Sequence, residues 1–161
     1  MENITKQDLN DDWQLEAGYK EQEQFLSEWP VERIKTMTLD EYANLDKDTA
    51  FIYWLEKKTE HSGSIWGGSA FKFGIYRRRN TEDFANKPMY NTDGKYAWYA
   101  KYGDSKEEVF SKIKGFIISI VEASQKGNTE IIDAIDWGDA IKWKIAFHYN
   151  TNDILPIFKR E

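Results

Sequence analysis

The sequence has 161 residues, no cysteine and only two histidines, His61 and His148. The lack of cysteine excludes disulfides, cysteine zinc sites and thiol nucleophiles, and a serine–histidine pair can form only through one of the two histidines. The net charge of −6 is uneven, because residues 1–48 carry 13 acids and 5 bases whereas residues 70–101 carry 7 bases and 3 acids.

This length fits one domain, and 16% aromatic residues indicate a packed core. Residues 1–18 are polar, and we expect them to form a loosely ordered segment before a single domain at residues 19–161. The first residues lack the basic and apolar regions of a signal peptide, and the longest apolar run, residues 116–121, is too short to cross a membrane. We therefore expect a soluble, cytoplasmic protein without a membrane partner.

The first part of the chain is predicted to be helical. Residues 19–29 place apolar side chains at helical spacing, and Pro30 ends this helix while suiting the first turn of another. Thr38 and Glu41 have the spacing of a capping box, which predicts a further short helix.

The middle of the chain is predicted to hold two paired strands. Residues 51–55 are compatible with a strand or a helix, and their apolar stripe favours a helix that ends near Gly63. Within residues 71–78, Phe71, Phe73 and Ile75 alternate with their neighbours as in a half-buried strand, and the aromatic segment at residues 95–102 is predicted to be a second strand. The polar stretch at residues 80–93 is a predicted loop, so we expect the two strands to pair.

The second half of the chain begins with the clearest helix. Ser105 and Glu108 form a predicted capping box, seven apolar residues follow at helical spacing, and Gly127 is the expected stop. A shorter helix is predicted at residues 130–135.

The last part is predicted to add two strands. Apolar and more polar side chains alternate strictly through residues 141–149, which predicts a half-exposed strand with His148 on its polar face. Turn residues at 150–153 lead to a last strand at residues 154–158. The sum predicts an α+β fold: a helical N-terminal part and one long amphipathic helix packed on a mostly antiparallel, twisted sheet.

The stretch at residues 64–80 combines an aromatic ring, adjacent glycines and three arginines. Neither G-x-x-x-x-G-K-[ST] nor G-x-G-x-x-G occurs in the chain. Gly67 and Gly68 can nevertheless adopt positive φ or let a ligand approach the backbone, and Ser69 follows them. We predict close backbone approach at these three residues, and an ordinary turn before a strand is the alternative.

The basic, aromatic middle indicates nucleic-acid binding. Lysines and arginines neutralise phosphates, and exposed rings stack on unpaired bases with about 1–3 kcal/mol per base. The predicted phosphate contacts are Lys72, Arg77, Arg78, Arg79, Lys95 and Lys101. The predicted rings of a base pocket are Trp66, Tyr76, Trp98 and Tyr99. The alternative is that both sheet faces are covered and that the arginines pair with the acidic first part.

Two other functions are compatible with the sequence. The aromatic surface could serve a protein-interaction module. Glu56 and Lys58 follow an apolar segment, as in the Glu-x-Lys half of Mg²⁺-dependent PD-(D/E)xK nucleases, and Asp40, Asp46 or Asp48 would have to supply the second carboxylate. A plain surface helix explains the same Glu-x-Lys pattern.

Three segments resemble the N-terminal region of certain bacterial McrB-family proteins: GSIWGGSAFKFGIY at 63–76, YAWYAKYG at 96–103 and KWKIAF at 142–147. The resemblance implies a non-enzymatic, cofactor-free domain of a modification-dependent restriction system. Such a domain recognises double-stranded DNA, in well-known members by flipping a methylated cytosine into an aromatic pocket. A downstream AAA+ GTPase domain and a separate McrC-type nuclease are the implied partners.

Overall fold

A computed structural model describes residues 13–79 and 88–150, with side chains from residue 16 onward. Its helices are α1 (Trp13–Glu28), α2 (Val31–Thr36), α3 (Leu39–Ala43), α4 (Phe51–Tyr53), α5 (Lys106–Gln125), α6 (Thr129–Ala134) and α7 (Asp139–Tyr149). A π-helical turn, Trp54–Lys58, continues α4, and 3₁₀ turns cover Ala70–Phe73 and Ala100–Tyr102. The strands are β1 (Ile75–Arg77), β2 (Tyr90–Thr92) and β3 (Tyr96–Tyr99).

The strands form an antiparallel sheet of order β1-β3-β2, with helices packed on it. This arrangement confirms the predicted α+β class and the helical N-terminal part. The first helix begins at Trp13, ahead of the expected domain boundary at residue 18. The strand predicted at residues 154–158 lies outside the described residues.

The long helix α5 is the centre of the core. Ser105 accepts a hydrogen bond from the Glu108 amide while the Glu108 carboxylate accepts one from the Ser105 amide, so the predicted capping box is present. Its buried apolar stripe consists of Val109, Ile113, Ile117, Ile120 and Val121. Full burial of each such side chain contributes about 1.5–3 kcal/mol, so packing rather than helix propensity holds α5 in place.

The sheet meets α5 at Gly74. This residue has φ +79°, and a Cβ there would lie 2.6 Å from the Cδ1 atom of Ile113. The hydroxyl of Tyr42 on α3 donates to the Phe73 carbonyl at 2.6 Å, which ties the helices to the same point. The strand predicted at residues 71–78 is therefore divided into a 3₁₀ turn and a short strand, because the positive φ interrupts the extended backbone.

The predicted pairing of the two middle segments is confirmed by β1 and β3, where Ile75 lies opposite Trp98. The second segment, predicted as a strand over residues 95–102, also ends in a 3₁₀ turn. Strand β2 falls inside the predicted loop at residues 80–93. Its three residues are too few for an alternating pattern to identify them as a strand.

The strand predicted at residues 141–149 is wrong, since these residues form the helix α7. The alternation of apolar and more polar residues suggested a strand with one buried face and one face toward solvent. In the structure, however, Lys142, Lys144 and His148 are buried together with the apolar residues. A helix that is buried nearly all round has no polar face, and the helical period is therefore hidden in its sequence.

Backbone carbonyls satisfy the most deeply buried lysine of α7. The ammonium group of Lys144 donates to the carbonyl oxygens of Thr59 and Gly63 at 2.8 and 2.7 Å. Desolvation lowers the pKa of Lys144 to about 7, against the attraction of nearby carboxylates, first among them Glu21. The lysine therefore anchors the chain segment that leads into the loop at residues 64–69.

Candidate nucleic-acid interface

A cleft of about 540 Å³ opens between two parts of the chain. One wall comes from α4, the segment before it and the π-helical turn after it, and includes Asp46, Lys47, Ile52, Tyr53 and Glu56. The other wall comes from β1 and the loop before it, and includes Trp66, Gly67, Gly68, Tyr76, Arg77 and Arg79. Ligand sites in proteins span about 300–1,000 Å³, so the cleft is large enough for a nucleoside-sized ligand.

The cleft brings together about half of the site residues predicted from the sequence. Those that line it are Trp66, Gly67, Gly68, Lys72, Tyr76, Arg77 and Arg79. Those that do not line it are Ser69, Arg78, Lys95, Trp98, Tyr99 and Lys101. The predicted residues are therefore not gathered at one site, since some line the cleft while others lie in the core, on the sheet or on turns beside it.

The most exposed aromatic ring of the cleft is Trp66. Its side chain is 68% exposed, and the ammonium group of Lys57 lies 4.4 Å from the centre of the ring. The next two residues, Gly67 and Gly68, have φ values of +97° and +72°. A Cβ at either glycine would meet nothing within 4 Å, so glycine serves the backbone conformation and leaves open space beside it.

Lys72 holds this loop in place. Its ammonium group donates to the Glu56 carboxylate at 2.5 Å, to the Ile65 carbonyl at 2.6 Å and to the Gly67 carbonyl at 2.8 Å. An ammonium group has three donors, and here all three are used. Lys72 thus links the two walls of the cleft, and its three donors are used without the predicted phosphate.

The three consecutive arginines point in different directions. Arg77 and Arg79 line the cleft, and a guanidinium nitrogen of Arg77 lies 3.6 Å from the Asp40 carboxylate. Arg78 donates to the Thr92 hydroxyl at 3.3 Å and does not line the cleft. The backbone pairing continues one residue past β1, since the Arg78 amide donates to the Lys95 carbonyl at 2.9 Å, and successive side chains of a paired strand point to opposite faces.

Trp98 and Tyr99 are divided by the same rule. Trp98 is only 6% exposed and belongs to the hydrophobic core, so its predicted place in a base pocket is wrong. Tyr99 lies on the outer face of the sheet, opposite Tyr90, with ring centres 5.4 Å apart. Successive side chains of β3 point to opposite faces of the sheet, so Trp98 and Tyr99 lie on different sides of it.

The outer face of the sheet carries a row of half-buried rings. Phe71 packs edge-on against Tyr76 at 5.0 Å and stacks on Tyr90 at 3.5 Å, and Tyr90 contacts Tyr99. Tyr76 belongs to both surfaces, since it also lines the cleft. Burial raises the pKa of Tyr76, which favours the neutral hydroxyl.

The last two predicted phosphate ligands lie outside the cleft. Lys95 is exposed, and its ammonium group lies 5.4 Å from the centre of the Tyr96 ring. Lys101 pairs with Asp136 at 3.3 Å. Neither lysine supplies charge to the cleft itself.

Sequence reasoning missed the helical wall of the cleft. The apolar stripe that predicted a helix at residues 51–55 leaves Ile52, Tyr53 and Glu56 on another side of that helix. The apolar stripe at residues 51–55 therefore also indicates which side chains of this helix face away from the core. Which loop they meet was decided by the tertiary structure alone.

The Glu-x-Lys pattern is engaged in ion pairs. Glu56 pairs with Lys72, and Lys58 pairs with Asp48 at 3.0 Å. Within residues 13–79 and 88–150, no group of three or more histidine or acidic side chains is placed to hold a metal ion. The geometry therefore adds no support to the nuclease hypothesis.

Ser62 and His148 form a serine–histidine pair in the interior. The Ser62 hydroxyl lies 3.5 Å from Nε2 of His148 and donates to the Thr59 carbonyl at 2.9 Å. Both side chains are fully buried, and Phe25 stacks on the imidazole at 4.4 Å. Burial lowers the pKa of His148 well below its usual range. The pair is packed inside the core and has no opening to a substrate through its described neighbours.

None of the described helices is both long and apolar enough to cross a membrane. No protein-family model, curated protein or solved structure matches this chain.

Proposed function

We propose that this protein is a DNA-recognition domain that binds duplex DNA beside the cleft and accepts one extruded, modified base inside it. The observation that carries the proposal is the presence of Trp66, Tyr76, Arg77 and Arg79 around one nucleoside-sized opening. Enzymes and readers that extrude a base hold it by stacking and by contacts to its edge, while cations bind the flanking phosphates.

The energetics are consistent with this use of the cleft. Extruding a base costs a few kcal/mol, and stacking on an aromatic ring returns about 1–3 kcal/mol per base. The exposed indole of Trp66 and the partly exposed Tyr76 and Tyr53 are the available rings. Contacts to phosphates supply the remaining free energy and make binding depend on salt.

The cations of the cleft are not equivalent. Lys72 already donates hydrogen bonds to Glu56 and to two backbone carbonyls, and Arg77 forms an ion pair with Asp40. Lys47 and Arg79 also line the cleft, and neither forms an ion pair with a residue that the structure describes. We therefore assign the main phosphate contacts to Lys47 and Arg79.

The resemblance to McrB-family proteins extends the proposal to the cellular context. In that context the protein is cytoplasmic, belongs to a modification-dependent restriction system, and acts with a downstream AAA+ GTPase domain and an McrC-type nuclease. The domain itself selects the DNA, while the partners supply movement and cleavage.

The test is fluorescence anisotropy with matched short duplexes that contain cytosine, 5-methylcytosine, 5-hydroxymethylcytosine or N6-methyladenine, each at two salt concentrations. We expect tighter binding to one modified duplex and weaker binding at higher salt. A lack of binding to every duplex at low salt would overturn the proposal. Equal binding to all four would overturn base recognition and leave only contacts to the backbone.

A second candidate is a protein-interaction module, and the row of rings on the outer sheet face favours it. Phe71, Tyr90 and Tyr99 are half-buried there, and the nearby Met89 is 52% exposed. Aromatic and methionine side chains are enriched in protein interfaces. A stable oligomer or a salt-insensitive complex with a protein, together with no DNA binding, would favour this second function.

A further inference from the structure

Glu56 is a partly buried carboxylate among the residues that line the cleft. Its side chain is 22% exposed, and it lies on the π-helical turn that follows α4. Lys72 holds one carboxylate oxygen, Oε1, at 2.5 Å. This contact limits the rotation of the carboxylate, and π-helical turns occur frequently at functional sites.

The charged side chains of the cleft favour one orientation of a nucleotide. Lys47 and Arg79 attract a phosphate, whereas the carboxylate of Glu56, which Lys72 holds, has no donor to offer it. The aromatic rings of Trp66 and Tyr76 take the faces of the base, so the hydrogen-bonding edge of the base is the part that can meet Glu56. An acceptor at this place distinguishes bases by the donors on that edge.

We propose that Glu56 makes the cleft selective for bases that carry an exocyclic amine, such as cytosine and adenine, over thymine and uracil; this inference rests on the proposed function. A carboxylate accepts hydrogen bonds and donates none, so it pairs with the amine at position 4 of cytosine or position 6 of adenine. The selectivity requires the carboxylate to face the exocyclic position of the base. At position 4 thymine presents a carbonyl oxygen, so two acceptors would face each other there, and the one donor of thymine on this edge is N3–H.

The sharpest test compares 5-methylcytosine with thymine, because both rings carry the same methyl group and differ at position 4 and in the proton on N3. Two duplexes are used that differ only in one pair, 5-methylcytosine·guanine or thymine·guanine. A mismatched thymine is easier to extrude than a paired 5-methylcytosine, so the stability of the duplexes favours binding of thymine. Tighter binding of the 5-methylcytosine duplex would therefore have to come from the protein's contacts with the base.

We expect the wild-type protein to bind the 5-methylcytosine duplex about tenfold more tightly, which lies within the usual discrimination by a base-edge contact. In Glu56→Gln, which can donate to the thymine carbonyl, the preference should shrink to less than about twofold. Glu122→Gln, an exposed site on α5 outside the cleft, should keep the full preference.

Each other outcome overturns the inference in a recognisable way. Equal binding of the two duplexes, or tighter binding of thymine, overturns the selectivity while the proposed DNA binding stands. A preference that persists in a folded Glu56→Gln variant overturns the role of Glu56. No binding of either duplex removes the proposed function and the inference with it. The wild-type comparison decides the selectivity even where the variant fails to fold.

Discussion

The cleft and the packed interior around α7 use the same kinds of side chain in opposite ways. Trp66 in the cleft is 68% exposed and Arg79 faces solvent, whereas Lys144 and His148 of α7 are fully buried. The buried amine is satisfied by two carbonyls, while the cleft residues leave rings and charge accessible. Composition rich in lysine and aromatic residues therefore does not identify a binding surface by itself. Substitutions in the interior should change stability, and substitutions in the cleft should change binding.

The largest expected effect on stability is at Gly74. Gly74→Ala adds a methyl group 2.6 Å from the Cδ1 atom of Ile113, at a residue with positive φ. The steric clash with Ile113 and the strained backbone conformation both destabilise the folded state. We expect a loss of about 2–4 kcal/mol in the free energy of unfolding, measured with urea. Gly94→Ala is the control, because its φ is also positive but a Cβ there meets nothing within 4 Å. Equal losses in the two variants would contradict the packing argument.

The largest expected effect on binding is at Trp66. Trp66→Ala removes the exposed ring, so affinity for the preferred modified duplex should fall by about 1–3 kcal/mol while the free energy of unfolding stays nearly constant. Anisotropy and urea unfolding measure the two quantities. Tyr19→Ala, at a 39% exposed tyrosine outside the cleft, should leave affinity unchanged. A large stability loss in Trp66→Ala would show that the ring belongs to the interior.

The pH dependence of the free energy of unfolding tests the burial of Lys144. Burial lowers the pKa of Lys144 to about 7, whereas a lysine in the unfolded chain keeps its proton up to about pH 10.4. The unfolded state thus binds more protons between these values, and stability should rise by about 1 kcal/mol per pH unit from pH 7.5 to 9. Lys144→Met should flatten this rise. An equal slope in the two proteins would assign the effect to another group.

The arginines allow a matched pair of variants in adjacent positions. Arg79→Ala should weaken DNA binding by about 1 kcal/mol and reduce the slope of log affinity against log salt by about 0.9, since one phosphate contact is lost. Arg78→Ala should change neither quantity, because Arg78 contacts Thr92 outside the cleft. Equal effects of the two substitutions would mean that the strand end acts as one undivided basic patch.

The smallest expected effect is at Lys101. Its pair with Asp136 is largely exposed, and such pairs contribute about 0–1 kcal/mol. Lys101→Ala should therefore leave the free energy of unfolding within about 0.5 kcal/mol of the wild type and the DNA affinity within about twofold. A clear loss of affinity would extend the interface from the cleft onto the surface near Asp136.

Several features of the fold could be predicted because they depend on neighbours along the chain. The capping boxes at Thr38 and Ser105 and the apolar stripe of α5 are local patterns, and the structure contains all three. One-sided burial imposes a period on the sequence, and this period identified α5. The pairing of β1 with β3 was expected because a polar loop connects their two segments. Trp66 and the two glycines of the cleft were also recognisable, since they are consecutive in the chain.

Other features were decided by contacts between distant segments. The side chains of α7 are buried on all sides, so their sequence shows no helical period and imitates a strand. One face of the sheet packs against α5, so Trp98 on that face lies in the core, whereas Tyr99 lies on the outer face. Glu56 meets Lys72 across 16 residues of chain, and the cleft exists only where these two segments meet. Local patterns record which side of an element is buried, whereas the identity of the partner on that side depends on tertiary packing.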